Sequence, residues 1–248
     1  MKGVILAAGD GGRLYELTRT CPKVLLPMEG RALISYSLES MTAAGITEIA
    51  VVVGHNGAMV EQEVRRIAQD VERLEFITNV DFLGGNALSV HAAQAFTQNE
   101  DFVLCMGDHI IDRDLVGRLL QDGPSVPVLC VDSEPSLESQ INDATRVLRG
   151  PTGCIEEIGK DLERWNAVDT GVFLLGGVIF SAIEGLIPEH GIHVELSQAV
   201  RRVIADGVSF ATCDISGLFW TDVDTLEDYE GAARYMASLG GHDNDHSV

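Results

Sequence analysis

Lysine is almost missing from this 248-residue chain: Lys2, Lys23 and Lys160 are the whole complement, and arginine supplies the rest of its 17 basic side chains. Set against 38 acidic residues, they leave a formal net charge of −21. That balance disfavours nucleic acid and anionic membrane surfaces as partners. No apolar run approaches the ~20 residues of a membrane-spanning helix. The N-terminus lacks the basic region, long apolar stretch and cleavage site of a secretory signal. Cysteine is sparse: Cys21, Cys105, Cys130, Cys154 and Cys213 are odd in number, widely spaced and without a CxxC pair. This argues against a zinc site or a disulfide framework and for thiols in a reducing compartment. The expectation is a soluble, cytoplasmic protein.

What is present is apolar material in short, punctuated runs. Hydrophobic residues make up 46% of the chain, enough for a sizeable core. Strand-like runs fall at Val4–Ala8, Glu48–Gly54, Glu75–Asn79, Phe102–Met106, Val126–Val131, Val172–Leu175 and Ser209–Asp214. Most are continuously apolar, as strands buried on both faces should be. Helical patterns lie between them, at Leu33–Ala44, Ala58–Val71, Ala87–Gln98, Arg113–Gln121, Gly177–Leu186, Glu195–Asp206 and Thr225–Ser238. The alternation predicts a Rossmann-like α/β fold, a mostly parallel sheet with helices on both faces. Residues 1–239 read as a single domain. Within it, 132–170 reads as a small β insertion over the active face, and the glycine-led polar segment 240–248 as a disordered tail.

Ligands of such sheets sit beyond the carboxyl ends of the strands, which directs attention to the loops there. The first strand runs into Gly9, Gly11 and Gly12, with Arg13 and Lys23 behind them. No GK[ST] follows, so this is not a Walker A loop, and G-D-G-G-R is not a clean GxGxxG dinucleotide frame. Glycines let backbone N–H groups approach an anion; a guanidinium can then fork onto phosphate oxygens and a lysine add a point charge. Residues 1–35 carry five basic side chains against three acidic ones, reversing the sign of the rest of the chain.

Two further sites carry carboxylates. Asp108, in Met106-Gly107-Asp108-His109, ends a strand on the ligand edge, where Mg²⁺ takes one or two carboxylates plus phosphate oxygens and water; a turn aspartate is the competing explanation. In Trp220-Thr221-Asp222-Val223-Asp224-Thr225, Asp224 can be explained as the N-cap of the last helix, whereas Asp222 has no such structural duty. His190 and His193 are spaced HxxH but have no carboxylate or cysteine at metal-ligand spacing, so they read as loop residues.

These residues carry a family resemblance. The opening stretch MKGVILAAGDGGRLYELTRTCPKVLLP resembles the signature A-A-G-x-G-[ST]-R-L…T…P-K of the sugar-phosphate nucleotidyltransferases, through Ala7, Ala8, Gly9, Gly11, Arg13, Leu14, Thr18, Pro22 and Lys23. Gly12 replaces the usual Ser/Thr and removes a hydroxyl from the loop. VVVGHN, LCMGDH, IEEIGK, VDTGVF, ELSQAV and FWTDVDT follow in the family's order over nearly the whole chain. Gly85-Asn86 with Ser89, Ala144-Thr145-Arg146-Val147, Ile158-Gly159-Lys160 and Ala167-Val168-Asp169-Thr170-Gly171 are most similar to the CTP:inositol-1-phosphate cytidylyltransferases.

The resemblance implies a GT-A-like nucleotidyltransferase fold and in-line attack of a phosphomonoester oxygen on the α-phosphorus of a nucleoside triphosphate, CTP preferred, releasing pyrophosphate. It implies Arg13, Lys23 and Asp108 as catalytic residues, with Asp108 and Asp222 holding Mg²⁺. The nucleotide would lie on Leu6, Ala7, Ala8, Gly9, Gly11, Gly12, Gly85, Asn86 and Gly107. The acceptor, inositol 1-phosphate, would meet Lys160, Asp169, Thr170, Gly171 and Glu195. Two carboxylates suit a polyol better than a quaternary ammonium, which calls for an aromatic cage. A hexose 1-phosphate transferase using another nucleotide, a phosphocholine-type cytidylyltransferase and a non-catalytic nucleotide-binding domain are the alternatives. The resemblance leaves a homodimer open.

Overall fold

The computed structural model describes residues 1–240 apart from 122, 126 and 138. Of the segment expected to be a disordered tail, all but Gly240 lies outside these residues. The chain opens with β1 (Lys2–Ala7), the glycine loop, and α1 (Tyr15–Thr18). A small hairpin of β2 (Pro27–Met28) and β3 (Arg31–Ala32) leads into α2 (Ile34–Ala43). Then come β4 (Glu48–Val53), α3 (Gly57–Ile67), β5 (Arg73–Thr78), α4 (Asn86–Ala92) and α5 (Gln94–Thr97). The middle of the chain supplies β6 (Phe102–Met106), β7 (His109–Ile111), α6 (Leu115–Leu120) and β8 (Val128–Asp132). It continues with α7 (Ser139–Asn142), β9 (Arg146–Arg149), β10 (Ile155–Gly159) and β11 (Ala167–Leu175). The last part forms α8 (Val178–His190), α9 (Leu196–Ala205), β12 (Ala211–Asp214), β13 (Trp220–Asp222) and α10 (Leu226–Gly240).

The main sheet runs β10-β9-β11-β6-β1-β4-β5, with β8 paired to β11 and β12 paired to β8. Its centre, β6-β1-β4-β5, is parallel as the strand–helix alternation requires. β11 reverses direction, lying antiparallel to β6, β8 and β9. The sequence pattern locates only its second half, from Val172. The strand in fact starts at Ala167 and passes through a register shift between Asp169 and Phe173. Gly171, at φ +75°, permits that bulge, and it is the glycine that disguises the strand.

Alternation along β1 divides the core between the sheet's two faces. Val4 and Leu6 join a cluster with Val90, Phe96, Phe180, Ile183 and Val200, under α4, α5, α8 and α9. Ile5 and Ala7 join Leu38, Met41, Val60, Leu115 and Leu119, under α2, α3 and α6. A third cluster, including Leu14, Met28, Tyr36, Ile110, Val223 and Ala232, packs α10 and the hairpin beside the main sheet. Among the described residues no helix is long and apolar enough to cross a membrane.

The start of α4 is drawn unusually close to the loop before α9. The Gly85 amide donates to Ile192 O at 2.8 Å and the Ala87 amide to Val194 O at 3.1 Å. A Cβ on Gly85 would stand 2.0 Å from Val194 O, whereas one on Gly9 would meet nothing within 4 Å. We expect Gly85→Ala to lower stability by roughly 1–3 kcal/mol, through forced separation of packed backbone. In thermal unfolding that is a loss of several degrees, while Gly9→Ala should unfold with the wild type.

Candidate active site

The loops after β1, β4 and β6 converge as the strand order demands. The Gly107 amide donates to Leu6 O at 2.8 Å and the His55 amide to Ala8 O at 3.2 Å. Beyond them lies a cavity of about 790 Å³, within the usual size range of small-ligand sites. Leu6, Ala8, Gly9, Gly85, Asn86 and Asp108 line one part of it, and Lys160, Asp169, Gly171, Glu195 and Asp222 another. The nucleotide-side and acceptor-side residues expected from the sequence thus face one space.

Lys23 is the centre of its charge network. It is buried in the first 3-10 turn after Pro22, with Nζ 2.6 Å from Asp108 Oδ2 and bonded also to Asp224 Oδ1. Burial opposes its charge, but Asp108 and Asp224 outweigh that and hold the ammonium above the ordinary lysine range. Burial likewise works against the Asp108 carboxylate. Lys23, with His109 Nδ1 at 2.9 Å, reverses the balance and keeps it far below the usual carboxylate range. Arg13, half exposed on the rim, donates to Asp143 Oδ2 at 2.7 Å and also reaches Asp224. Lys160 donates to the other oxygen of Asp143 at 2.9 Å. Three aspartates therefore hold the cations: Asp224 joins Arg13 to Lys23, Asp143 joins Arg13 to Lys160, and Asp108 binds Lys23 alone.

Two of those aspartates escape the sequence analysis. Asp143 follows α7, one position before the Ala144-Thr145-Arg146-Val147 stretch and outside it, and its contacts span 130 and 17 positions of sequence. Asp224 is not the N-cap of α10. Thr225 holds that place: Asp228 Oδ2 accepts the Thr225 amide at 2.7 Å, and Thr225 Oγ1 accepts the Asp228 amide at 3.2 Å. This reciprocal box satisfies the helix terminus and leaves the Asp224 carboxylate to the cations. The T-x-x-D spacing was the available signal.

Asp222 lies on β13, opposite His109 of β7 in the antiparallel register, which brings it beside Asp108. Burial raises its carboxyl above the ordinary range, and the neighbouring Asp224 and Asp108 add to the shift while His109 opposes it. A divalent cation would relieve that repulsion. Among the described residues no group of three or more His, Cys, Asp or Glu is disposed to hold a metal. Two carboxylates are nonetheless the protein share that Mg²⁺ needs when phosphate oxygens and water complete the shell. The donor set fits the ion.

Several expected ligand residues already have structural duties. Thr170 is fully buried and donates to Cys130 O at 2.9 Å, turned away from the cavity. Thr170 is not among the residues lining the cavity, whereas its neighbours Asp169 and Gly171 are. Asn86 Oδ1 accepts the Leu196 amide at 2.7 Å and so fastens the start of α9. Glu195 caps α9 in a box with Gln198. Ala7, Gly11, Gly12 and Gly107 are not among the residues that line the cavity. His193 and Arg201 reach the cavity without having been singled out as ligands, and Trp220, also on its wall, donates its indole N–H to Asp132 at 2.8 Å.

Asp169 accepts the Gly171 amide at 2.8 Å. Burial nevertheless pushes its carboxyl up to about 6, against the pull of that bond and of His109. A raised carboxyl stabilises the fold fully below its unfolded value near 4 and loses that contribution as pH rises through 6. Asp169→Asn should therefore gain stability on the wild type between pH 4 and pH 7.5, by at most ~3 kcal/mol. Denaturant titrations at the two pH values measure it; a constant difference would contradict the assignment.

Comparison with known proteins agrees with this geometry. Residues 2–122 match the family model described as Nucleotidyl transferase. A "Bifunctional IPC transferase and DIPP synthase" of Rubrobacter xylanophilus is 35% identical over 98% of this chain and 54% of its own length. The protein so described from Thermococcus kodakarensis is 33% identical over 95% of this chain and 50% of its own length. The chain thus spans about half the length of these relatives. Among solved structures, the inositol-1-phosphate CTP transferase from T. maritima superposes with a TM-score of 0.83 at 23% identity, covering 94% of this chain and 95% of that one. A UDP-glucose pyrophosphorylase bound to UDP-glucose gives 0.81 at 18% identity, covering 96% and 98%. The family match thus lies in the first 122 residues, and the fold of the whole described chain is that of these nucleotidyl-transferring enzymes of known structure.

Proposed function

We propose that the chain transfers the cytidylyl group of CTP to inositol 1-phosphate and releases pyrophosphate. The observation that carries the proposal is the buried Lys23 held between Asp108 and Asp224 where the β1 and β6 loops meet. The T. maritima protein, an inositol-1-phosphate CTP transferase, supports the choice of nucleotide and acceptor, and the relatives described as IPC transferases accord with it.

In this reading the acceptor's phosphate oxygen attacks the α-phosphorus in line, and the enzyme contributes position and charge rather than a covalent intermediate. Arg13 leaves Asp143 and Asp224 for the β- and γ-phosphates and follows the charge onto the departing pyrophosphate. Lys23, already ionised and shielded from water, addresses the α-phosphate. On the acceptor side, Lys160 exchanges Asp143 for the acceptor phosphate, and Asp169, like Lys160 from residues 132–170, and Glu195, from the start of α9, accept hydrogen bonds from the acceptor hydroxyls. Backbone at Gly85 and the Asn86 NH2 face the base. Asp108 and Asp222 are the residues that would hold Mg²⁺, which when bound supplies Lewis-acid charge neutralisation and a template for the phosphates.

Pyrophosphate release, measured with each nucleoside triphosphate and a panel of phosphomonoesters, tests the assignment. Turnover should require CTP, inositol 1-phosphate and a divalent cation, and EDTA should abolish it. Turnover of glucose 1-phosphate with none of inositol 1-phosphate would overturn the acceptor. Asp222→Asn should cut kcat at least ~10²-fold while raising thermal stability, because it removes a repelled buried charge. Near-full activity in that variant would remove Asp222 from the site.

A further inference from the structure

β8 and β12 run parallel and place Cys130 opposite Cys213 in register. In-register neighbours project from the same face of a sheet. Adjacent strands stand ~4.8 Å apart, inside the ~4.4–6.8 Å range of Cα separations that a disulfide spans. The register is continuous on both sides of the pair, with Thr212 opposite Leu129 and Asp214 opposite Val131.

Their surroundings differ in the way a nucleophile and a resolving thiol require. Cys130 is fully buried, and burial raises its thiol well above the usual value. Cys213 is part-exposed, with Sγ 3.9 Å from Arg118 O. Its contact with Cys130, aided by the Arg118 charge and opposed by desolvation, brings it down to about 7. A substantial thiolate fraction is then present at neutral pH. Arg118 also lines a cavity of about 300 Å³ on this side of the molecule, together with Asp114 and with Arg113, which is paired to Glu39 at 3.7 Å. β11 separates Cys105 from the pair.

We propose that Cys130 and Cys213 form a reversible cross-strand disulfide, with a small disulfide such as oxidised glutathione as the oxidant. The Cys213 thiolate attacks one glutathione sulfur, an S–S bond forms to Cys213, and one glutathione thiolate leaves and takes a proton. Cys130 then gives up its proton and attacks Cys213 Sγ, expelling the second glutathione thiolate. Two protein thiols are oxidised, one glutathione disulfide is reduced, and the two protons end on glutathione. The second step needs no solvent access to Cys130, because its electrophile is the neighbouring sulfur. The pair lies behind the cleft wall: Val131, next to Cys130, pairs with Asp169.

The native protein should be equilibrated anaerobically over a range of reduced-to-oxidised glutathione ratios, quenched with N-ethylmaleimide, and read by intact mass and non-reducing peptide mapping. We expect the untrapped protein to lose about 2 Da, the Cys130 and Cys213 peptides to appear as one cross-linked species, and dithiothreitol to reverse both. Cys213→Ser, shown folded by circular dichroism, should abolish the cross-link, and Cys154→Ser should leave it. Both cysteines free at every ratio, a lasting glutathione adduct on Cys213 without the cross-link, or oxidation only after denaturant would each overturn the proposal.

Discussion

A buried ammonium between two carboxylates governs this molecule. Lys23 is brought into the interior by the 3-10 turn behind the glycine loop and meets Asp108 from β6 and Asp224 from the approach to α10. Removing one partner from such a buried group costs ~3–5 kcal/mol, because the other charge is left unpaired. The same contacts bind the N-terminal loop, the sheet edge and the last helix into one wall. The charge is therefore structural before any ligand arrives.

The cleft is otherwise acidic. Asp143, Asp161, Asp169, Glu195, Asp222 and Asp224 line it with Lys160 and Arg201 as cationic company. Such a lining repels a triphosphate unless its cations change partners. Asp143 and Asp224 hold Arg13, Lys23 and Lys160 in place, and each of those pairs is one that an anionic ligand can replace. The Asp222 carboxyl is raised by burial and by Asp224 and Asp108, whereas Asp108 is already compensated by Lys23 and His109.

Much of this was legible in the sequence because it rests on local rules. Apolar runs alternating with amphipathic ones announced the parallel centre of the sheet, and the order of strands put Gly9, Gly107 and Asp108 on one edge. What stayed hidden depends on competition or on distance. Asp224 and Thr225 compete for one helix terminus, and the outcome follows from Asp228, three positions beyond Thr225. Asp143 is defined only by the partners that folding brings to it. Asn86 and Glu195 hold backbone as well as face the cavity, a double use invisible without the loop between α8 and α9. β11 was half concealed by the bulge at Gly171.

The central claim is that Arg13 and Lys23 leave their aspartates for the triphosphate. Calorimetric titration of CTP with Mg²⁺ into wild type, Lys23→Met and Arg13→Met tests it directly, the last variant being free of buried-charge effects because Arg13 is on the rim. We expect each folded variant to bind at least ~10-fold more weakly, the loss of ~1.4 kcal/mol or more that one charge-assisted phosphate contact supplies. Unchanged CTP affinity in both variants would contradict the account.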